Sequence, residues 1–66
     1  MKDINGEEFF VGDTLKVVKL WSGNCGRLSV GDVVECVRDD QSQICGFKRV
    51  SNGLEYWCPN NHLQKL

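Results

Sequence analysis

Hydrophobic residues along this chain recur mostly at every second position, in short runs separated by turn residues. Leu15-Lys16-Val17-Val18-Lys19-Leu20-Trp21 follows a Gly12-Asp13 turn and is rich in β-branched residues, which predicts a strand. Leu28-Ser29-Val30 leads into a second Gly-Asp turn at Gly31-Asp32, and Val33 to Arg38 predicts the second long strand. Gln43 to Val50 predicts a third, Leu54 to Cys58 a fourth, and Leu63 to Leu66 a short last one. Asn5-Gly6, Ser22 to Gly26, Asp39 to Ser42 and Ser51-Asn52-Gly53 are the turns and loops between them. Pro59 cannot donate to a ladder and so ends the strand it follows, and Asn60 and Asn61 favour a turn. No stretch holds a helical period for three turns. The expectation is an all-β fold: five short strands forming a small barrel or an orthogonal sandwich, with one short 3-10 turn before the last strand, in a single domain spanning residues 1–66. Residues 1–11 form an N-terminal extension or a first short strand.

Strand parity assigns the faces. Leu15 and Val17 share one side of the first strand, with Lys16 on the other. Val34 and Cys36 share one side of the second, opposite Val33 and Glu35, which makes Cys36 a small apolar core residue. If Asn52-Gly53 is a two-residue hairpin loop, Ser51 pairs with Leu54, Phe47 faces Cys58, and Arg49 faces Tyr56. Cys45 then lies opposite Asn60 and diagonal to Cys58, while Lys48 opposes Trp57 and Val50 opposes Glu55.

Composition narrows the function. Sixty-six residues make one small core that buries about 60% of the unfolded surface. At 41% hydrophobic and 26% charged the chain lies outside disordered composition, and its net charge of −1 is not that of a strongly basic nucleic-acid binder. There is no apolar run long enough for a membrane span and no basic-then-apolar leader, so the expected compartment is the cytoplasm. The four cysteines, Cys25, Cys36, Cys45 and Cys58, are expected as plain thiols there, although zinc or two disulfides would also fit an even count. No pair has the two-residue spacing of a zinc knuckle; the weaker metal alternative is Cys58, His62 and Cys45. No cofactor is expected. Asp13, Asp32, Asp39 and Asp40 are turn residues, and no nucleophile-base set is evident, so the chain is expected to bind rather than catalyse.

The stretch Leu28-Ser29-Val30-Gly31-Asp32-Val33-Val34-Glu35-Cys36-Val37 resembles the Src-homology-3 pattern L-S-F, spacer, G-D, apolar strand. Cys58-Pro59-Asn60-Asn61-His62-Leu63 resembles that family's ending, an apolar residue followed by P-S-N-Y-V, and Leu15 to Trp21 takes the place of its A-L-Y-D-Y strand. The resemblance covers residues 12–66 and implies an SH3-like barrel, of the kind found in small bacteriophage or bacterial accessory proteins and inhibitors that act on a larger host protein. The chain departs from the polyproline-binding members. Their paired-tryptophan position falls near Gln43-Ile44, the loop Ser22 to Arg27 has no acid, and His62 replaces the groove tyrosine. Polyproline binding is therefore not expected. The expected partner is another protein, bound by Trp57, Lys48 and Trp21, with His62 at the rim and loop residues Asn24 and Arg27 at the border. The alternative is nucleic acid. In barrels of the KOW type, a basic stripe such as Lys16, Lys19, Arg27, Arg38, Lys48 and Arg49 would run beside Trp21 and Trp57.

Overall fold

The computed structural model describes residues 1–19, 28–39 and 44–66. It contains five strands: β1 (Thr14–Val17), β2 (Val33–Arg38), β3 (Ile44–Arg49), β4 (Glu55–Pro59) and β5 (Leu63–Lys65). A 3-10 turn, Asn60–His62, precedes β5. All pairings are antiparallel, in the order β4-β3-β2-β1-β5. The all-β class, the five strands and the 3-10 turn are therefore as expected. The expected barrel is not closed, however, because β4 and β5 are the two edges of an open sheet.

The first strand is shorter than the apolar run that predicted it. It ends at Val17, after which the Val18 and Lys19 N–H groups donate to the His62 carbonyl at 3.0 and 3.3 Å. Leu20 and Trp21 lie outside the described residues.

Parity governs the core. Leu15, Val17, Val34, Cys36, Cys45, Phe47, Cys58 and Leu63 are all at most 1% exposed and come from all five strands. Phe9 and Leu28 join them from outside the strands, with Met1 and Tyr56 packed alongside. One sheet can gather residues of every strand into one cluster only by wrapping around it, and the overall extents of 24 × 20 × 19 Å agree. Phe9 and Phe47 meet with their ring centroids 6.1 Å apart, within the favourable range for aromatic pairs.

Two turns that share Val-Gly-Asp are built alike. In each, the aspartate N–H donates to the carbonyl three residues earlier, Phe10 or Ser29, at 3.0 Å. The aspartate carboxylate accepts back from the N–H of that same residue, at 2.9 Å from Phe10 and 2.7 Å from Ser29. Gly12 and Gly31 supply the positive φ that these turns require, 100° and 98°. The likeness extends into the sheet. Gly12 and Gly31 donate to the carbonyls of Cys36 and Val17, and those two residues donate back to Asp13 and Asp32. The β1–β2 pair is thus a local two-fold centred on Leu15 opposite Val34. A basic residue of the flanking strand completes each turn, Lys65 with Asp13 at 3.8 Å and Arg49 with Asp32 at 2.9 Å.

The β3–β4 hairpin corrects the expected register by two residues. Arg49 N–H donates to the Leu54 carbonyl at 2.8 Å, so the loop is Val50 to Gly53 and not Asn52-Gly53 alone. The cause is Asn52. Its Oδ1 accepts from Leu54 N–H at 2.9 Å and its Nδ2 donates to the Tyr56 hydroxyl at 3.2 Å, holding it as a turn residue before left-handed Gly53. Cys45 therefore lies directly opposite Cys58, Phe47 opposite Tyr56, and Lys48 opposite Glu55. Because the shift is even, every side chain keeps its expected face.

Candidate functional site

The outer side of β3 and β4 carries Ile44, Gly46 and Lys48 on one strand and Glu55, Trp57 and Pro59 on the other. Trp57 is 40% exposed and points outward, as the parity argument expects. Its cross-strand neighbour is Gly46, not Lys48. Ile44, also exposed, lies opposite Pro59, so Ile44, Trp57 and Pro59 form the apolar part of this face.

Arg38 reaches the same face because of a bulge. Cys36 pairs with Phe47 and Arg38 with Gly46, so Val37 is the extra residue and Arg38 is turned from the core side to the outer side. Its stem then covers Gly46, where an added Cβ would stand 3.1 Å from Arg38 Cβ and 3.2 Å from its Cδ. The Arg38 Nε donates to Glu55 Oε2 at 3.0 Å. This pair is exposed and contributes little to stability. Its effect is positional, since it lays Arg38 along one border of the apolar patch.

The charges on this sheet alternate. Lys48 lies between Glu35 on β2 and Glu55 on β4 in the cross-strand register. Arg49 is on the other side of the strand, bound to Asp32. Its guanidinium pKa is held above the ordinary range first by a hydrogen bond with the Tyr56 hydroxyl and then by Asp32. The basic stripe expected through Arg38, Lys48 and Arg49 is thus interrupted by acidic partners.

His62 is corrected from rim to interior. It is 8% exposed, and its Nδ1 has no hydrogen-bond partner among the described residues. The side chain therefore makes no hydrogen bond within the turn through that atom. Burial, and then the charge of Lys19, hold its pKa below the ordinary 6.5. Trp21, Asn24 and Arg27 lie outside the described residues.

Cys36, Cys45 and Cys58 are buried thiols facing the core, and Cys25 lies outside the described residues. The Cys45 Sγ approaches the Met1 Sδ at 3.1 Å. Burial, followed by the neighbouring Cys45, pushes the Cys36 thiol up to about 11, which keeps it protonated and unreactive. Among the described residues, no group of three or more His, Cys, Asp or Glu side chains is placed to hold a metal ion. None of their helices is long and apolar enough to cross a membrane.

Sequence reasoning missed the part played by Asp3. It is 4% exposed, and its carboxylate accepts three backbone N–H groups: Asn5 at 2.8 Å and Glu7 at 2.9 Å on Oδ1, and Lys65 at 2.8 Å on Oδ2. Burial alone would raise its pKa, but the donors from Lys65, Glu7 and Asn5, with the Lys65 charge, outweigh it and hold the carboxyl below its ordinary 3.8. The Ile4 N–H donates to the Leu63 carbonyl at 2.9 Å, so residues 3 and 4 line the outer edge of β5. The Asp-x-Asn-Gly run was a legible turn signal, whereas its contact with Lys65, 62 residues away, was not.

Comparison with known proteins gives no match to any family model, curated protein or solved structure.

Proposed function

We propose that this chain is a non-enzymatic, SH3-like protein-binding module whose contact surface is the outer side of β3 and β4. The observation that carries the reading is Trp57, an exposed tryptophan set beside Ile44 and Pro59 and bordered by the Arg38–Glu55 pair. Tryptophan at such a position supplies a large contact area with little side-chain entropy to lose, and it is enriched among residues that dominate binding energy. The five antiparallel strands, and the 3-10 turn before the last, support the SH3-like part of the reading.

Protein is favoured over nucleic acid because acidic partners interrupt the basic stripe. Arg38 and Arg49 are engaged by Glu55 and Asp32, and Lys48 lies between two glutamates in the register. Phosphate binding needs such cations available to release counterions.

The test is capture of binding proteins by the wild-type chain and by Trp57→Ala, with the melting temperature of both measured. The expected result is a protein retained by the wild type at raised salt and bound about 2 kcal/mol more weakly by the variant, at nearly unchanged melting temperature. Recovery of nucleic acid alone, or a variant that melts early yet binds normally when folded, would overturn the reading.

A further inference from the structure

We propose that the β4 edge takes an extended segment of a partner protein as a further strand of the sheet. The proposal rests on the protein-binding reading above and specifies how the partner is held. Two hydrogen bonds set the phase of the backbone: Arg49 N–H to the Leu54 carbonyl at 2.8 Å, and Val50 N–H to the Val33 carbonyl at 3.0 Å. Antiparallel pairs alternate between exchanging both bonds and exchanging none. With the observed register, Tyr56 and Cys58 turn their main chain toward β3, and Glu55, Trp57 and Pro59 turn theirs away. Pro59 has no N–H, and its C=O accepts the first bond of the 3-10 turn that it caps, so the edge offers the N–H and C=O of Glu55 and Trp57. These groups have no partner among the described residues.

The opposite edge shows what covering looks like in this molecule. On β5 the outward carbonyl of Leu63 accepts from Ile4, and the outward N–H of Lys65 donates to the Asp3 carboxylate. An uncovered edge is a template for strand addition, and the proline at the end of β4 limits it to a short register.

The occupant is argued from size and charge. A second copy would meet this edge only over Glu55–Pro59, about 17 Å of strand. Centred on Trp57, it would place each Glu55 against a proline that cannot donate. That contact falls far short of the roughly 1,000 Å² a stable interface needs. A flexible segment can bond the same groups and also lay alternate side chains against Trp57 and Pro59. The charges beside it are already matched, Arg38 by Glu55 and Lys48 between two glutamates, so the fitting segment is uncharged and apolar on that side. The residue paired with Trp57 must both donate and accept, and so is not proline.

The experiment compares Glu55→Pro with Glu55→Ala. Both lose the carboxylate, but only the first loses the outward N–H, at the first residue of an edge strand, where proline is tolerated. The probe is a short synthetic peptide of alternating threonine and valine, with a twin N-methylated on alternate amides. Amide shifts and hydrogen exchange are followed by NMR. The expected result is protection of the Trp57 N–H by the peptide and not by its twin, with Glu55→Pro binding about five-fold more weakly than Glu55→Ala, as loss of one hydrogen bond implies. Absence of Trp57 protection, or equal binding by peptide and twin, overturns the proposal even if Glu55→Pro fails to fold. Protection that grows with protein concentration in the absence of peptide also overturns it, because the occupant is then a second copy. If Trp57→Ala still weakens capture of a protein partner while the peptide fails, strand addition falls and the protein-binding reading stands.

Discussion

The two edges of the sheet face the same physical problem and resolve it differently. At β5, the outward main-chain groups of Leu63 and Lys65 are taken by Ile4 and by the buried carboxylate of Asp3. At β4, those of Glu55 and Trp57 have no partner among the described residues, beside an exposed tryptophan. One chain therefore commits its N-terminal residues and a buried charge to sealing one edge, and among the described residues nothing comparable serves the other. The difference teaches that an open edge is a feature to be tested for use.

The largest expected effect comes from breaking the closed edge. Asp3→Ala removes the acceptor of three backbone N–H groups in a buried place, and bonds to charged acceptors are the stronger kind. The loss should be about 3 kcal/mol in urea unfolding, with earlier hydrogen exchange at Lys65. A loss below about 1 kcal/mol would mean that the N-terminal segment does not hold β5.

A smaller effect is expected from acid. The Asp3 carboxyl titrates below its ordinary 3.8 when folded, so its contribution is complete above that value and is lost as pH falls through the folded value. His62 works earlier in the same direction. Held neutral by burial and Lys19, it opposes folding once pH drops below its ordinary 6.5, because the unfolded chain then binds the proton more readily. Stability should therefore fall in two stages on acidification. Asp3→Asn should flatten the lower stage and leave the upper one unchanged. A single stage that Asp3→Asn does not alter would sink this assignment.

The smallest effect belongs to the open edge. Gly46→Ala places a methyl 3.1 Å from Arg38 Cβ, which moves only with its backbone by a few tenths of an ångström, and 3.2 and 3.3 Å from its Cδ and Cγ, which can rotate aside. Stability should change by less than about 1 kcal/mol, and the Arg38–Glu55 pair should separate, visible as a shift of the Arg38 Nε resonance. A large loss would show that this border of the patch is structural and that the two edges differ less than their hydrogen bonds indicate.

Much of the fold was legible in the chain. Alternation placed Leu15, Val17, Val34 and Cys36 in the core. Even the misplaced β3–β4 register left the faces of those two strands intact, because it was wrong by two residues. Less of the site was legible. The bulge at Val37 brings Arg38 beside Gly46, and nothing in Val-Glu-Cys-Val-Arg announces where a ladder will slip. His62 looked like a rim residue because a lone histidine after a turn is usually wet, whereas here the turn carries it inward.

The sequence by itself determined what depends on neighbours along the chain: the approximate strand positions, the faces of Leu15, Val17, Val34 and Cys36, and the two Val-Gly-Asp turns, whose glycines and aspartates act within four residues of one another. Only the tertiary structure decided what joins residues far apart. It carried Asp3 to Lys65, matched Lys65 and Arg49 to the two turn aspartates, and left β4 as an edge that no described residue covers. The physical reason is range. Alternation and turn chemistry act over a few bonds, whereas the partner of an outward N–H at a sheet edge depends on how the whole sheet wraps around its core.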